Sequence, residues 1–270
     1  NFNATGDLTI GSLISNGGDI SLKGNDLALS GNLSSGAGNI NITHNDSGKI
    51  GLGGTSCGSS CSMTITSTEL AAMSGNKLVI GGSTNGDIYV DGITQTTSTF
   101  SNGVELNVDA HLSGSKGAIV FEGSDSSFST LTANAVDGVE VNANLTTTTG
   151  ALSLDGDSDN AVDTLSGNDY ILFASGTTLT SAGNITLSAA NGGMTTAGNL
   201  TLSAPSSITM TGTMSGTGDI SLSASNGITL NNSISTSSGL LSINANSSAL
   251  TVGSGATFSS TNALTLAASS

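Results

Sequence analysis

Apolar residues in this chain recur in short alternating runs and not at helical spacing. Ile220-Ser-Leu222, Leu200-Thr-Leu202 and Ile40-Asn-Ile42 each put two aliphatic side chains on one face and a polar one on the other. That period of two is the signature of a strand. The runs themselves recur. From Gly198 the apolar positions are Leu200, Leu202, Ile208, Met210 and Met214, and from Gly218, 20 residues on, they are Ile220, Leu222, Ile228, Leu230 and Ile234. From Gly239 the series continues with Leu241, Ile243, Leu250, Val252 and Phe258, and Leu264 with Leu266 opens another unit. Near the start, Gly18 leads into Ile20, Leu22, Leu27, Leu29 and Leu33, and Gly38 into Ile40 and Ile42.

A single unit of this kind cannot bury its aliphatic side chains, whereas stacked units bury a continuous ladder and pair their backbones. The pattern therefore predicts an all-β fold, a right-handed parallel β-helix (β-solenoid) with three short strands and about 20 residues per coil. Gly, Asn and Asp fall between the strands, where the chain must turn. Helices would need apolar residues at sustained spacings of three and four, and the Gly and β-branched content opposes them. A sandwich would not explain identical apolar offsets in successive units. At about 4.8 Å per coil the rod should be roughly 60 Å long.

The chain reads as one domain, 1–270, with regular coils over 1–52 and 183–270 and irregular, looped coils over 53–182. Strand-like pieces persist in that middle at Ile88–Val90, Leu106–Val108, Ile119–Phe121, Val139–Val141 and Leu152–Leu154.

Composition narrows the function. Charged residues make up 9% and aromatics 3%, with neither Trp nor Arg, so stacking of sugars on aromatic faces has little to work with. The net charge of −15 repels nucleic acid and anionic lipid. No apolar run approaches the roughly 20 residues of a membrane-spanning helix, so neither nucleic acid nor membrane insertion is expected. No secretion signal stands at Asn1, which fits a mature or excised segment, and no polar capping helix is visible at either end.

Candidate chemistry is sparse. Cys57 and Cys61 lie in a Gly/Ser loop as the only thiols, which predicts a disulfide and an oxidising, extracellular compartment. Asp155, Asp157, Asp159 and Asp163 alternate as in a calcium-binding loop. Asn160 stands where such loops carry Gly, however, and Ser166 where they carry a bidentate Glu. The run reads either as a solvated acidic turn or as a calcium site, and calcium is the one cofactor the sequence raises. Glu105, Glu122 and Glu140 flank strands in the middle and give a β-helical polysaccharide-active enzyme its footing. His44 and His111 are lone residues for which turn or surface positions are expected. Thr-x-Thr pairs at Thr64/Thr66, Thr130/Thr132 and Thr178/Thr180 resemble ice-binding arrays without repeating in every coil. Nine Asn-x-Ser/Thr sequons occur, several at strand starts where the Asn serves the turn.

The units Gly-Asn-Ile-Thr-Leu-Ser-Ala (183–189), Gly-Asn-Leu-Thr-Leu-Ser-Ala (198–204) and Gly-Asp-Ile-Ser-Leu-Ser-Ala (218–224) resemble the repeats of the filamentous haemagglutinin family. These are bacterial surface adhesins exported by two-partner secretion. The resemblance covers the last 90 residues well, the first 45 fairly and the middle poorly. The Asn-Pro-type motifs of that family's secretion domain are missing, since Pro205 is the only proline. It implies a non-enzymatic adhesin shaft at the bacterial cell surface. Its partners would be host or neighbouring-cell surface or matrix glycans and proteins, with attachment or biofilm formation as the role. An extracellular filament built by end-to-end stacking of copies is the structural alternative.

Overall fold

A computed structural model describes residues 1–54, 57, 60–95, 99–112, 115–162, 168–246 and 248–268. Its strands stack as parallel coils in a β-solenoid of about 11 turns, averaging about 23 residues per turn. The mean exceeds the 20 residues of the regular units because the middle coils carry long connections. About 11 steps of about 4.8 Å make the rod nearer 53 Å than 60 Å. An 11-stranded sheet runs from Phe2–Asn3 to Leu250–Val252, a 10-stranded sheet from Met63–Thr66 to Phe258–Ser260, and a 7-stranded sheet from Ser126–Phe128 to Ala263–Ala267. Sheets of three and two strands complete the N-terminal coils.

The ladders follow the sequence pattern. Leu200 and Leu202 lie under Ile220 and Leu222, which lie under Leu241 and Ile243. On the 11-stranded sheet Ile208 and Met210 lie under Ile228 and Leu230, then Leu250 and Val252. All are buried except the last two. Leu250 is half-buried and Val252 is 41% exposed. These two were expected in the core. They stand on the last rung of the 11-stranded sheet, where one side of the ladder has no partner strand. All five middle strand pieces are strands of the stack.

The Gly-Asx starts of the repeat have a direct physical cause. Asp19 accepts the amide of Asn39, Asn199 accepts that of Asp219, and Asp219 accepts that of Leu240, at 2.7–2.9 Å. Each Asx thus caps the next coil while its glycine stacks on the glycine below. A Cβ on Gly38 would lie 2.5 Å from Gly18, and one on Gly239 2.1 Å from Gly218. The motif also changes face along the rod. It leads the 11-stranded sheet at Ile20 and Ile40, but the 7-stranded sheet at Leu200, Ile220 and Leu241.

The middle carries one departure from strict coiling. The strands Ile50–Gly53 and Met63–Thr66 follow each other in the chain yet pair directly, in parallel, within the 10-stranded sheet. The helix Ser67–Ala71 then leads on, with a capping box formed by Thr66 and Glu69. Thr66, half of a Thr-x-Thr pair in the sequence, is therefore a helix cap.

Candidate functional site

Chemistry-bearing side chains gather where connections pass from the 11-stranded to the 10-stranded sheet. Lys49, Asp87 and Lys116 occupy this corner one or two residues ahead of their strands, and the chain leaves the 11-stranded sheet here after Val108 and Asp155. Asp87 is fully buried. One of its oxygens accepts from Ser115 Oγ (2.6 Å) and from the amides of Lys116 (2.8 Å) and Ala118 (3.2 Å). The other faces Lys49 Nζ at 3.2 Å. Lys49 also donates to the Tyr89 hydroxyl at 3.3 Å. Burial opposes the charge on Lys49, but Tyr89 and Asp87 more than offset it and hold its pKa above the ordinary value.

On the adjoining outer face of the 10-stranded sheet, Tyr89, Val120, Glu140 and Leu172 form one register row. Glu140 Oε1 accepts from Lys116 Nζ (3.0 Å) and from Tyr170 Oη (2.8 Å). Burial, and then the Glu140 carboxylate, push the Tyr170 phenol far above its usual range. The Tyr170 ring lies over Gly138, where a Cβ would meet it at 2.8 Å. Val120 points outward yet is 3% exposed, so the neighbouring side chains close over it in a small cluster outside the main core. Glu122 sits on the same face with its carboxyl raised by burial and by the charges of Asp91 and Glu140. Glu105 is elsewhere, on the outer face of the 11-stranded sheet, bonded to Lys77 (2.8 Å) and Asn107 (3.0 Å). The three glutamates thus do not form one constellation.

The Cys57–Cys61 disulfide forms and covers Gly51, the next position of the same row, between Thr64 and Tyr89. A Cβ on Gly51 would lie 2.7 Å from Cys57 Sγ and 3.2 Å from Cys61 Sγ. Beyond Leu172 the row changes character. Thr195, Ser215, Ser235 and Ser259 follow in register and line a groove of about 600 Å³ with other hydroxyls.

The acidic run is divided among separate tasks. Asp157 is fully buried and receives both the amide (2.9 Å) and the side-chain nitrogen (3.3 Å) of Asn191. Asp155 accepts the Asp157 amide at 3.0 Å, and burial raises its pKa. Asp159 accepts the amide of Ala161 at 3.0 Å, and Asp163 lies outside the described residues. Among the described residues no group of three or more His, Cys, Asp or Glu side chains is arranged to hold a metal ion. The alternating carboxylates belong to a loop that caps its own turns and the next coil.

Neither histidine is a plain surface residue. His44 is buried, and its Nδ1 accepts the amides of Asp46 and Gly48. His111 lies between two carboxylates, with Nδ1 3.0 Å from Asp137 and Nε2 3.6 Å from Asp159. The hydroxyl rows also repeat more fully than Thr-x-Thr pairs suggest. On the 7-stranded sheet Thr178/Thr180, Thr201/Ser203, Ser221/Ser223 and Ser242/Asn244 stand in register. Spacing alone hid the corner cluster, because its partners are 24 to 40 residues apart through coils of unequal length. A signal emerges only after the strands are aligned, when Lys49 and Asp87 fall at equivalent positions and Lys116 two residues ahead of the matching one.

Comparisons with protein-family models, curated proteins and solved structures find no match. Among the described residues no helix is long and apolar enough to cross a membrane.

Proposed function

We infer that this chain is a non-enzymatic extracellular rod, the shaft segment of a bacterial surface adhesin whose corner cluster is its recognition face. The carrying observation is how the corner groups are used. Lys49, Lys116 and His111 are each matched to a carboxylate, and Tyr170 to Glu140, while the 11-stranded sheet runs through from Phe2–Asn3 to Leu250–Val252. A catalytic centre needs a base or nucleophile left available to substrate, and these groups hold connections in place instead. The disulfide supports an oxidising compartment. The corner and its row are also the place where both tyrosines and two of the four lysines meet, giving the rod a specific contact surface.

Adhesion can be measured directly. Beads coated with the chain should bind host cells, matrix or neighbouring bacteria more than beads coated with an acidic protein of equal charge. Lys116→Ala with Tyr170→Phe should weaken that binding. Equal binding by both bead types removes the adhesin reading. Release of reducing sugar or unsaturated product from a polysaccharide panel would remove the non-enzymatic one.

A further inference from the structure

The strands Val104–Val108, Leu131–Ala135 and Leu152–Asp155 are successive rungs of the 11-stranded sheet. His111 lies in the connection that follows the first rung, Asp137 in the turn after the second, and Asp159 in the connection after the third. One imidazole therefore spans three coils, with Nδ1 3.0 Å from Asp137 Oδ2 and Nε2 3.6 Å from Asp159 Oδ2. We propose that His111 is a proton-operated bolt, and that its charge sets how tightly the Asp159 turn (159–162) is held, beyond the anchors that Asn191 gives to Asp157 and to the Ala161 carbonyl.

The two carboxylates are anchored independently of the ring. The Asp137 side chain is 7% exposed, accepts Asn168 Nδ2 at 2.9 Å through its other oxygen, and rests against Gly117. A Cβ on Gly117 would lie 2.0 Å from Asp137 Oδ2. Asp159 is fixed to its own turn through the Ala161 amide. The ring is the adjustable member. A neutral imidazole has one N–H, so it can serve one carboxylate while turning a lone pair toward the other; an imidazolium donates to both. Protonation thus strengthens the link to Asp159, and deprotonation releases it. Asp109, on the His111 connection, has its carboxyl raised by burial and by Glu105. Lys116, at the far end of that connection, is turned to Glu140. Asp87, which binds Ser115 and Lys116 of that connection, and Asp155, Asp157 and Asp169 are the other described ionisable groups of the flanking segments. The ring is 45% exposed, so added salt should weaken the effect. The bolt does not depend on the adhesin reading.

NMR of the isotopically labelled 270-residue chain tests it, with the two histidine rings told apart by His111→Gln. Between about pH 5.5 and 8, around the ordinary imidazole range, the amide signal of Ala161 should move in step with the His111 ring. The heteronuclear NOE of residues 159–162 should fall at the alkaline end, while Asp157 and Ser158, held by Asn191 and by the Ala135 carbonyl, should stay ordered. His111→Gln should flatten that pH dependence with no change in the circular dichroism of the stack. His111→Lys, charged throughout, should keep the segment ordered at pH 8. The proposal is overturned if the ring titrates while Ala161 stays still. It is equally overturned if His111→Gln leaves the pH dependence in place, or if His111→Lys is as mobile at pH 8 as the glutamine variant.

Discussion

Gly51 shows how a single absent side chain can fix a surface. The residue points out from the 10-stranded sheet, where its neighbours in the row are Thr64 and Tyr89, and the disulfide lies directly upon it. Gly51→Val should force the staple off the sheet at a cost of about 1–3 kcal/mol, the usual range for overpacking. Cys57→Ser with Cys61→Ser should cost less, about 0–2 kcal/mol, because the closed loop is short. The two changes should not add. Urea unfolding of the single and combined variants will show the valine penalty mostly relieved once the staple is gone; full additivity would mean that the loop does not press on Gly51. His44 gives a second test at this scale. Burial lowers its pKa below the ordinary 6.5, against opposing contributions from Asp46, the Asn25 carbonyl and Asp26. The folded chain then binds fewer protons than the unfolded one, so the stability is complete above about pH 6.5 and is lost as pH falls through the folded value. The drop in urea midpoint from pH 7.5 to pH 5.5 should therefore be larger in wild type than in His44→Gln. Neither arrangement was legible beforehand. A glycine under a disulfide and a histidine in a turn look like ordinary loop residues until the coils around them are aligned.

At the scale of the element, the coil is the unit of stability, and each rung gains from having a rung on both sides. Leu222 is fully buried between Leu202 and Ile243, whereas Leu266, in the last strand, is 47% exposed. Leu222→Ala should cost about 2–5 kcal/mol, and Leu266→Ala under about 1 kcal/mol by loss of a half-exposed side chain. Chemical denaturation compares them, and similar losses would mean that end rungs and inner rungs are equally packed. The regular coils could be read from sequence because apolar period and Gly-Asx punctuation agree there. The motif's change of face could not, since identical local units are compatible with any of the three sides. The helix Ser67–Ala71 did carry a local signal, Thr66-x-x-Glu69, that the surrounding strand pattern overrode. The irregular coils resisted for a different reason. Their pairing is set by long-range stacking, and connections such as 109–117 and 156–169 erase the spacing that would reveal it.

Across the whole molecule, charge is distributed very unevenly along an otherwise continuous rod. Beyond Tyr170 the only charged side chain is Asp219, which leaves 18 carboxylates and all four lysines at or before that residue. The first part therefore carries a net −14 and the remainder −1, although the same core ladder runs through both. Self-repulsion among like charges opposes the compact state and is screened by salt, so ionic strength should act on one part of the rod only. Raising salt from about 0.02 to 0.5 M shortens the Debye length from tens of ångströms to a few. Amide hydrogen exchange in the strands between Ile20 and Tyr170 should then slow, while the strands from Leu200 to Asn244 keep their rates. The lysine–glutamate pairs work in the opposite direction, because screening weakens Lys77–Glu105 and Lys116–Glu140. With 14 uncompensated carboxylates against those few partly exposed pairs, repulsion should dominate and the net effect should be protective. Slower exchange along the full length would point to a salt effect on the apolar ladder common to both parts. Faster exchange confined to the first part would mean that the ion pairs outweigh the excess charge.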